Sequence, residues 1–306
     1  MYILIDRDIS LVKLFFGSLT LGVLIVAILV NALKKRLPKV ITDMYNYGKF
    51  LDNDVSFFIV TVPKRWFRHF YVVGVFCTGI VFMIMLNVCC FGGQPSTTFL
   101  SFLNVVAATN TKPTGAAVNA LLAISLLLMH CIGRFIETHF ISVFSDSKMN
   151  FIQYTCGIIH YVGASLAIVA ESPGFSNLEP CSFSWDELTV FDYSAALILC
   201  LACYEQIKSS IILANLRKNK KGSVCTYKHS IPRGRLFEIL SSPHISAEIV
   251  VYLALTFILR GNCTWWYIFI WVLTNQCAVS WTNHVWYQQN FPTYPKNRKA
   301  LIPYLL

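Results

Sequence analysis

The chain has 306 residues, of which 56% are hydrophobic and only 13% are charged. A soluble globular domain carries about 45–50% apolar and about 25% charged residues, so this composition excludes a soluble cytosolic enzyme. The mean hydropathy of +0.57 is an average over the whole chain, and a single span of about 20 residues would not produce it. We therefore expect an all-α, polytopic membrane protein.

Seven apolar stretches have the length of a membrane-spanning helix. They are residues 11–33, 69–91, 115–140, 151–170, 190–214, 244–260 and 264–288. The first stretch follows the polar segment MYILIDRD and precedes no cleavage motif of small residues, so we expect a retained span and not a removed signal peptide. The whole of 1–306 is predicted to be one integral membrane domain, with its last two helices in a tight hairpin around Gly261.

Basic residues alternate between the loops that join these stretches. Residues 34–68 carry eight Lys or Arg, residues 215–243 carry seven, the tail after residue 288 carries three, and the short loop after the third stretch carries Lys148. The other loops carry only two basic residues between them. Because cytoplasmic loops are enriched in Lys and Arg, we expect a lumenal amino terminus and a cytosolic carboxyl terminus.

The distribution of basic residues also indicates whether the chain binds nucleic acid. The formal net charge is +10, which would suit nucleic acid if the basic residues formed one surface. Since the basic residues follow topology instead, we expect no nucleic-acid partner. The 11 cysteines lie mostly inside apolar runs and lack the paired spacing of a zinc site, so we expect no metal. Whether two lumenal cysteines such as Cys181 and Cys263 pair stays open.

Aromatic residues are concentrated at the start of the last stretch. They are Trp265, Trp266, Tyr267 and Trp271. Aromatic side chains at helix ends are typical of the membrane–water interface, so we expect these four to form an interfacial belt.

The third stretch contains ionisable side chains, each of which costs about 2.5–3.5 kcal/mol to insert into a bilayer. His130, Arg134 and Glu137 have the spacing of one helical face. Arg134 and Glu137 are three residues apart and can pair. His130 is either a structural residue whose hydrogen bonds are made inside the helix bundle or part of a polar functional site.

Further polar residues lie in the last three stretches. Glu205 and Lys208 are three residues apart, Glu248 lies near the start of the sixth stretch, and Asn283 and His284 lie in the seventh. These groups either lock helices together near the cytosolic ends or line a water-accessible cavity open to that side. A cavity with cationic loops at its mouth would suit an anionic ligand that carries phosphate.

Several segments resemble a known family. Two of them resemble the carboxyl-terminal domain of the steroid 5-alpha-reductase family: HSIPRGRLFEILSSPHISAEI at 229–249 and HVWYQQNFPTYPKNRKALIPYLL at 284–306. Three others resemble the polyprenol reductase branch of that family: VPKRWFRHFY at 62–71, FISVFSDSKMN at 140–150 and LRKNKKG at 216–222.

The resemblance implies an endoplasmic-reticulum enzyme with seven transmembrane helices that uses NADPH to saturate a carbon–carbon double bond next to a functional group. In the polyprenol branch the substrate is a long-chain isoprenoid lipid, and the product feeds dolichol synthesis for protein N-glycosylation. Family members hold NADPH in the cytosol-facing half of the bundle, which corresponds here to residues 190–306.

Carried over onto this sequence, the resemblance implies that Arg217 and Tyr287 bind the cofactor and that Glu248 lies near its nicotinamide. The remaining candidates for the cofactor site are Gln206, Lys218, His284, Tyr294, Lys296 and Arg298. The chain departs from the steroid reductases on the fifth span, where Gln206 and Ser210 stand in place of an asparagine and an aspartate, and at two further positions. Their substrate-polarising glutamate aligns near Ser56, and the tyrosine that assists it aligns with Cys131, so recognition of a steroid ketone is in doubt.

Hydride transfer needs an electrophilic carbon and a group that stabilises the resulting charge. An α,β-unsaturated aldehyde offers both, whereas an isolated allylic alcohol offers neither, so we favour polyprenal over polyprenol as the substrate. His130 is our candidate for the acid that polarises the carbonyl, with Arg134 and Glu137 as the residues that hold its orientation or charge.

Three alternatives remain. The first is a steroid 3-oxo-5-alpha reductase, and the second is a seven-span transporter or receptor without a cofactor. The third is a methyltransferase of the isoprenylcysteine type, which would bind S-adenosylmethionine instead of NADPH.

Overall fold

The structure, a computed structural model, describes five parts of the chain: residues 9–33, 36–45, 59–109, 112–175 and 180–302. Ser56, which aligns near the glutamate of the steroid reductases, lies outside them. The described residues form nine α-helices: α1 Leu11–Leu33, α2 Lys39–Tyr45, α3 Arg68–Phe91, α4 Thr97–Ala107, α5 Ala117–Ile136, α6 Phe151–Ala170, α7 Val190–Asn215, α8 Pro243–Ile258 and α9 Cys263–Asn290. Two short strands, β1 Thr61–Pro63 and β2 Lys148–Asn150, pair antiparallel.

Each of the seven predicted stretches coincides with a helix. Among the described residues, five helical segments are long and apolar enough to cross a membrane, as expected of a polytopic membrane protein. These are the segments that contain α1, α3, α5, α6 and α7. Helix α8 has only 16 residues, and α9 has 28 residues but a polar carboxyl-terminal half.

One end of the bundle is held together by the carboxylate of Glu171, just after α6. It accepts hydrogen bonds from the backbone N–H of Cys263 at 2.9 Å and of Thr264 at 2.8 Å. It also accepts one from the hydroxyl of Thr114, at 3.1 Å, and pairs with Lys13, at 3.5 Å. The starts of α1, α5 and α9 therefore meet the end of α6, and we call this the far end of the bundle.

The opposite end is held by contacts between loops. Arg68, at the start of α3, donates to the carbonyl of Thr138 at 2.9 Å, just after α5. Arg217, just after α7, donates to the carbonyl of Val143 at 2.6 Å. Because the basic loops of the sequence meet here, we call it the basic end. The long helices run alternately between the two ends.

Two helix starts at the far end have side-chain caps of the kind that satisfies free backbone N–H groups. The side chain of Asn262 accepts from the N–H of Trp265 at 2.8 Å and begins α9. Thr189 and Asp192 form a capping box that begins α7. Asp192 is fully buried and pairs with Arg260, at the end of α8, at 2.7 Å. Both caps thereby fix the helices that position the polar site.

The predicted aromatic belt is wrong for Trp265. Its side chain is 0% exposed, and its ring stacks on Tyr252 with the centroids 5.8 Å apart. Its indole N–H donates to Thr256 at 3.1 Å. A buried partner thus satisfies the polar atom of the indole, whereas Trp266 and Tyr267 are exposed, as a belt requires.

Candidate functional site

A buried carboxylate, that of Glu248 on α8, is the point where polar side chains from three helices meet. One of its oxygens lies 3.3 Å from Nε2 of His130 on α5. The other accepts a hydrogen bond from the side-chain amide of Gln206 on α7 and lies 4.0 Å from Nε of Arg134. Helix α7 packs along α8, and α5 packs against both, which brings these groups together.

Arg134 links this carboxylate to a second one. Its guanidinium donates to the hydroxyl of Tyr71 on α3 at 3.0 Å and lies over that ring, 4.8 Å from its centroid. It also donates to Glu137, so the predicted contact between Arg134 and Glu137 is confirmed. Glu137 opens a π-helical turn, Glu137–Ile141, and accepts from the hydroxyl of Ser142 at 3.3 Å. The carboxylate that contacts His130 is Glu248, and Glu137 acts on it only through Arg134.

The two nitrogens of His130 have different neighbours. Nε2 faces the carboxylate of Glu248, and Nδ1 lies 3.5 Å from the sulfur of Cys203. A carboxylate favours a proton on the nitrogen that faces it, while a thiol is a weak hydrogen-bond partner. The imidazole is therefore oriented by one strong contact and leaves its other nitrogen weakly engaged.

Charge balance in this network depends on the imidazole. Two buried carboxylates, Glu137 and Glu248, share one guanidinium, that of Arg134. A buried charge without a counter-charge is costly. A protonated His130 would make the four groups neutral together, so the arrangement can hold a proton at a defined place.

A second polar group lies at the basic end, where α8 begins and α9 ends. The hydroxyl of Ser241 is 2.6 Å from Nδ1 of His284 and 2.6 Å from the hydroxyl of Tyr294. Nε2 of His284 lies 2.8 Å from the amide of Gln288, and the Tyr294 ring stacks on Tyr287 with the centroids 5.3 Å apart. Sequence reasoning missed Ser241, although it lies inside the segment 229–249 that carries the family resemblance.

Arg298 belongs to the second group and is 1% exposed. None of its three side-chain nitrogens donates a hydrogen bond to any part of the chain that the structure describes. It pairs with the carboxylate of Glu238, at 3.8 Å, and its guanidinium lies 5.4 Å from the centroid of the Tyr294 ring. Buried polar groups are normally hydrogen-bonded, and guanidinium is well suited to phosphate. The residues present therefore fit a nucleotide phosphate.

Arg217 and Lys218 donate hydrogen bonds to backbone carbonyl groups. Arg217 donates to Val143, as described above, and the ammonium of Lys218 donates to the carbonyl of Ile141 at 3.3 Å. Both thus attach the end of α7 to the loop after α5. Burial lowers the pKa of Arg217, against the raising effect of nearby Tyr287. Lys296 is exposed.

Apart from Arg217, Lys218 and Lys296, the predicted residues thus fall into two sets, at two depths of one half of the bundle. His130, Arg134 and Glu137 share a network with Gln206 and Glu248, which the resemblance had assigned to the cofactor. Glu248 is five residues into α8, and at about 1.5 Å per residue it lies about 7.5 Å from the start of that helix. The Ser241 group lies just outside that start.

The predicted pairing of Glu205 with Lys208 in the fifth stretch is wrong. Glu205 does not pair with Lys208; it accepts two hydrogen bonds from Arg235, in the loop before α8. The ammonium of Lys208 lies 5.2 Å from the ring centroid of Tyr204. The Arg235 contact arises because that loop folds back over α7, which spacing within one helix does not reveal.

A cavity of about 290 Å³ lies at the far end, lined by residues that include Thr114, Glu171 and Arg260. It is remote from both polar groups. In the five described parts of the chain, no three His, Cys, Asp or Glu side chains are arranged as metal ligands.

Comparisons with known proteins identify the family of the chain. Residues 179–306 match the profile of a family described as 3-oxo-5-alpha-steroid 4-dehydrogenase. The chain is 35% identical to a polyprenal reductase of Drosophila melanogaster, over 99% of this chain and 96% of the relative. It is 32% identical to one of Caenorhabditis elegans, over 88% of each chain. It is 33% identical to one of Homo sapiens, over 80% of this chain and 78% of the relative. The chain therefore belongs to the steroid 5-alpha-reductase family, in its polyprenal reductase branch.

Proposed function

We propose that this chain uses NADPH to reduce the α,β double bond of polyprenal, in the endoplasmic-reticulum membrane, on the route to dolichol for protein N-glycosylation. The observation that carries the proposal is the buried pair of His130 and Glu248 in a chain whose relatives are named polyprenal reductase. This pair can hold a proton next to a site of reduction. The double bond is saturated only if the negative charge that develops on the substrate oxygen is stabilised.

NADPH supplies a hydride when it is bound. The residues that would hold it are Arg298, against a phosphate, and Tyr287, Tyr294 and His284 around it. Gln206 and Glu248 would face its reactive end, because they lie deeper in the bundle than the Ser241 group. The guanidinium of Arg298, which donates no hydrogen bond to the described residues, supports this assignment, and its role would be to provide charge-assisted hydrogen bonds.

His130 would polarise the substrate carbonyl. Because Nε2 is engaged by Glu248, the N–H available to the aldehyde oxygen is the one on Nδ1, whose partner Cys203 is a weak acceptor. Glu248 and Gln206 position the imidazole, and Glu137 with Tyr71 holds Arg134, so that two carboxylates balance the guanidinium and the protonated imidazole. The side chains around this network are buried, which excludes water and strengthens each electrostatic contact.

The same proposal includes seven spans with a lumenal amino terminus and a cytosolic carboxyl terminus. Two observations support it: the long helices alternate in direction, and the basic loops meet at one end. The cofactor residues lie toward that basic end, where a nucleotide from the cytosol would arrive. The isoprenoid chain is apolar and would enter from the bilayer between helices.

Product analysis tests this function. Purified protein is incubated with polyprenal or polyprenol and with NADPH or NADH, and the lipid products are separated. We expect saturation of the α-isoprene unit only with the aldehyde, and faster with NADPH. Faster saturation of the alcohol would contradict the aldehyde as substrate.

A second candidate is a 3-oxo-5-alpha-steroid reductase, which the family profile over residues 179–306 favours. The chain would then reduce a testosterone-like enone. Offering that enone and polyprenal together distinguishes the two functions, because the true substrate is consumed first and inhibits turnover of the other.

The two remaining alternatives differ from a reductase in the cofactor that they bind. A transporter or receptor would bind none, and a methyltransferase would bind S-adenosylmethionine. Titration of the purified protein with NADPH or with S-adenosylmethionine, followed by the melting temperature, separates these classes. Stabilisation by NADPH alone is the result that the reductase predicts.

A further inference from the structure

Two cysteines that the reductase site does not use lie in contact at the far end of the bundle. Cys89 is in the last turn of α3, and Cys181 is in the segment between α6 and α7. Their sulfur atoms are 3.8 Å apart, although 92 residues separate them in sequence. Cys89 is buried, at 9% exposed, and Cys181 is partly exposed.

Close packing holds the two sulfurs in this position. Gly174 has a φ of +82°, and a Cβ at this residue would come within 2.8 Å of the Cβ of Cys181 and 3.0 Å of Val88. The segment after α6 therefore lies directly on the end of α3. Cys181 and Phe183 both pack on the hydrophobic core, which fixes the segment beside Cys89.

The compartment at this end favours oxidation. In the orientation proposed above, on which this inference rests, the far end faces the lumen of the endoplasmic reticulum. Disulfides form and persist in that compartment and are rare in the cytosol. Cys225, in the loop after α7, is exposed at the basic end and would face the cytosol.

We propose that Cys89 and Cys181 form a disulfide that fastens the segment between α6 and α7 to the end of α3. The S–S bond forms as the two thiols lose two protons and two electrons. These pass to the disulfide of a thiol–disulfide oxidoreductase, the oxidant, which becomes a dithiol. Rotation of the two side chains closes the gap to a bond of about 2.05 Å.

Two other cysteines at this end are possible competitors. Cys90 is the next residue along α3 and is exposed, as is Cys263 at the start of α9. Adjacent positions on a helix point in different directions, and the sulfur that contacts Cys181 is that of Cys89. The proposed bond therefore pairs Cys181 with Cys89 and not with Cys263.

The test is made on the full chain in sealed microsomes from cells in which it is expressed. Free thiols are alkylated under denaturing conditions without reductant, and the chymotryptic peptides are analysed by mass spectrometry. We expect a cross-linked peptide that contains Cys89 and Cys181, and alkylated Cys225. Alkylation of both Cys89 and Cys181 before reduction, or a cross-link to Cys90 or Cys263, would overturn the proposal.

Variants identify the bonded sulfur. C90S is the matched control for C89S: C90S should keep the cross-link, and C89S should lose it and leave Cys181 open to alkylation. Dithiothreitol should lower the melting temperature of the wild type and leave that of C89S unchanged, because closing a long loop restricts the unfolded chain. An equal effect on both would contradict the bond.

A membrane-impermeant maleimide checks the orientation separately. It should label Cys225 in intact microsomes. Protection of Cys225 together with labelling of Cys89 would mean an inverted chain and would overturn the disulfide. Cys89 and Cys181 belong neither to the Glu248 network nor to the Ser241 group, so we expect C89S to keep its reductase activity with polyprenal and NADPH. Failure of the disulfide and failure of the proposed function are therefore separate results.

Discussion

The imidazole of His130 lies between a carboxylate and a thiol, so its two nitrogens differ in how strongly they are engaged. Glu248 holds Nε2, so a substrate oxygen can compete only for Nδ1, where the thiol of Cys203 is the weaker partner. A histidine that merely filled the core would need no such charge-balanced surroundings. The contacts of His130 therefore favour a functional role over a structural one.

Replacing His130 with Phe tests this role. Because general acid catalysis contributes about 10²- to 10⁴-fold, we expect His130→Phe to lower kcat with polyprenal by about 100-fold or more. Binding of NADPH, measured by thermal shift, should be nearly unchanged. His139→Phe is the control, since His139 contacts Phe135 and Thr138 and not the Glu248 network. Full turnover by a folded His130→Phe protein would show that the assignment is wrong.

Arg298 gives a prediction about the cofactor. Hydrogen bonds to charged groups contribute about 1.5–3 kcal/mol, which corresponds to about 10- to 100-fold in affinity. Arg298→Met should therefore raise the KM for NADPH by about 10- to 100-fold, and Arg298→Lys should restore part of the loss. Lys296→Met, an exposed neighbour, should have a small effect. An unchanged KM in a folded Arg298→Met protein would remove Arg298 from the cofactor site.

Sequence patterns could predict the residues that α5 contributes to this site but not their contacts with other helices. The helical period placed His130, Arg134 and Glu137 together because they share one helix. Their partners Glu248 and Tyr71 come from other helices, and periodicity within one segment contains no information about them. Ser241 was missed for the same reason: its contacts, His284 and Tyr294, are more than 40 residues away.

At the scale of elements, Glu171 joins the ends of four helices through one carboxylate. Burial alone would raise its pKa, but hydrogen bonds from Thr264 and from the backbone of Cys263 outweigh this effect and lower the pKa from its usual 4.5. A lowered pKa in the folded state means that the carboxylate stabilises the fold above its ordinary pKa. That contribution is lost as the pH falls through the folded-state value.

The melting temperature as a function of pH measures this effect. The wild type should lose stability on acidification below about pH 4.5 more steeply than Glu171→Gln, which has no charge to lose. At neutral pH the variant should be less stable by about 1–3 kcal/mol. Glu187→Gln, an exposed carboxylate nearby, should behave like the wild type. Parallel acid profiles for the wild type and Glu171→Gln would contradict the role of Glu171.

Helix positions followed from the sequence because apolar length is a local property. The predicted stretch 190–214 became α7, Val190–Asn215, and 69–91 became α3, Arg68–Phe91. Local patterns failed where tertiary packing decided the outcome. Trp265 is in a position typical of an interface, but the Tyr252 ring and the Thr256 hydroxyl offer it a buried site that the sequence does not reveal.

For the whole molecule, the polar groups and the basic loops lie toward the same end. The Ser241 group with Arg298 lies at the basic end, the Glu248 network lies about five residues of helix deeper, and the far end is closed by Glu171, Asp192 and the Cys89–Cys181 contact. This order suits a nucleotide that enters from one side and reacts with a lipid inside the bundle. The reaction that follows from this order is reduction at the β carbon of an aldehyde next to His130.

Isotope transfer tests this reaction. Purified protein is incubated with polyprenal and NADPH deuterated at the transferable position, and the deuterium in the lipid product is located by mass spectrometry and NMR. We expect one deuterium at the β carbon of a saturated α-isoprene unit, with loss of the signal in His130→Phe. Deuterium at the former aldehyde carbon, with the double bond intact, would contradict it.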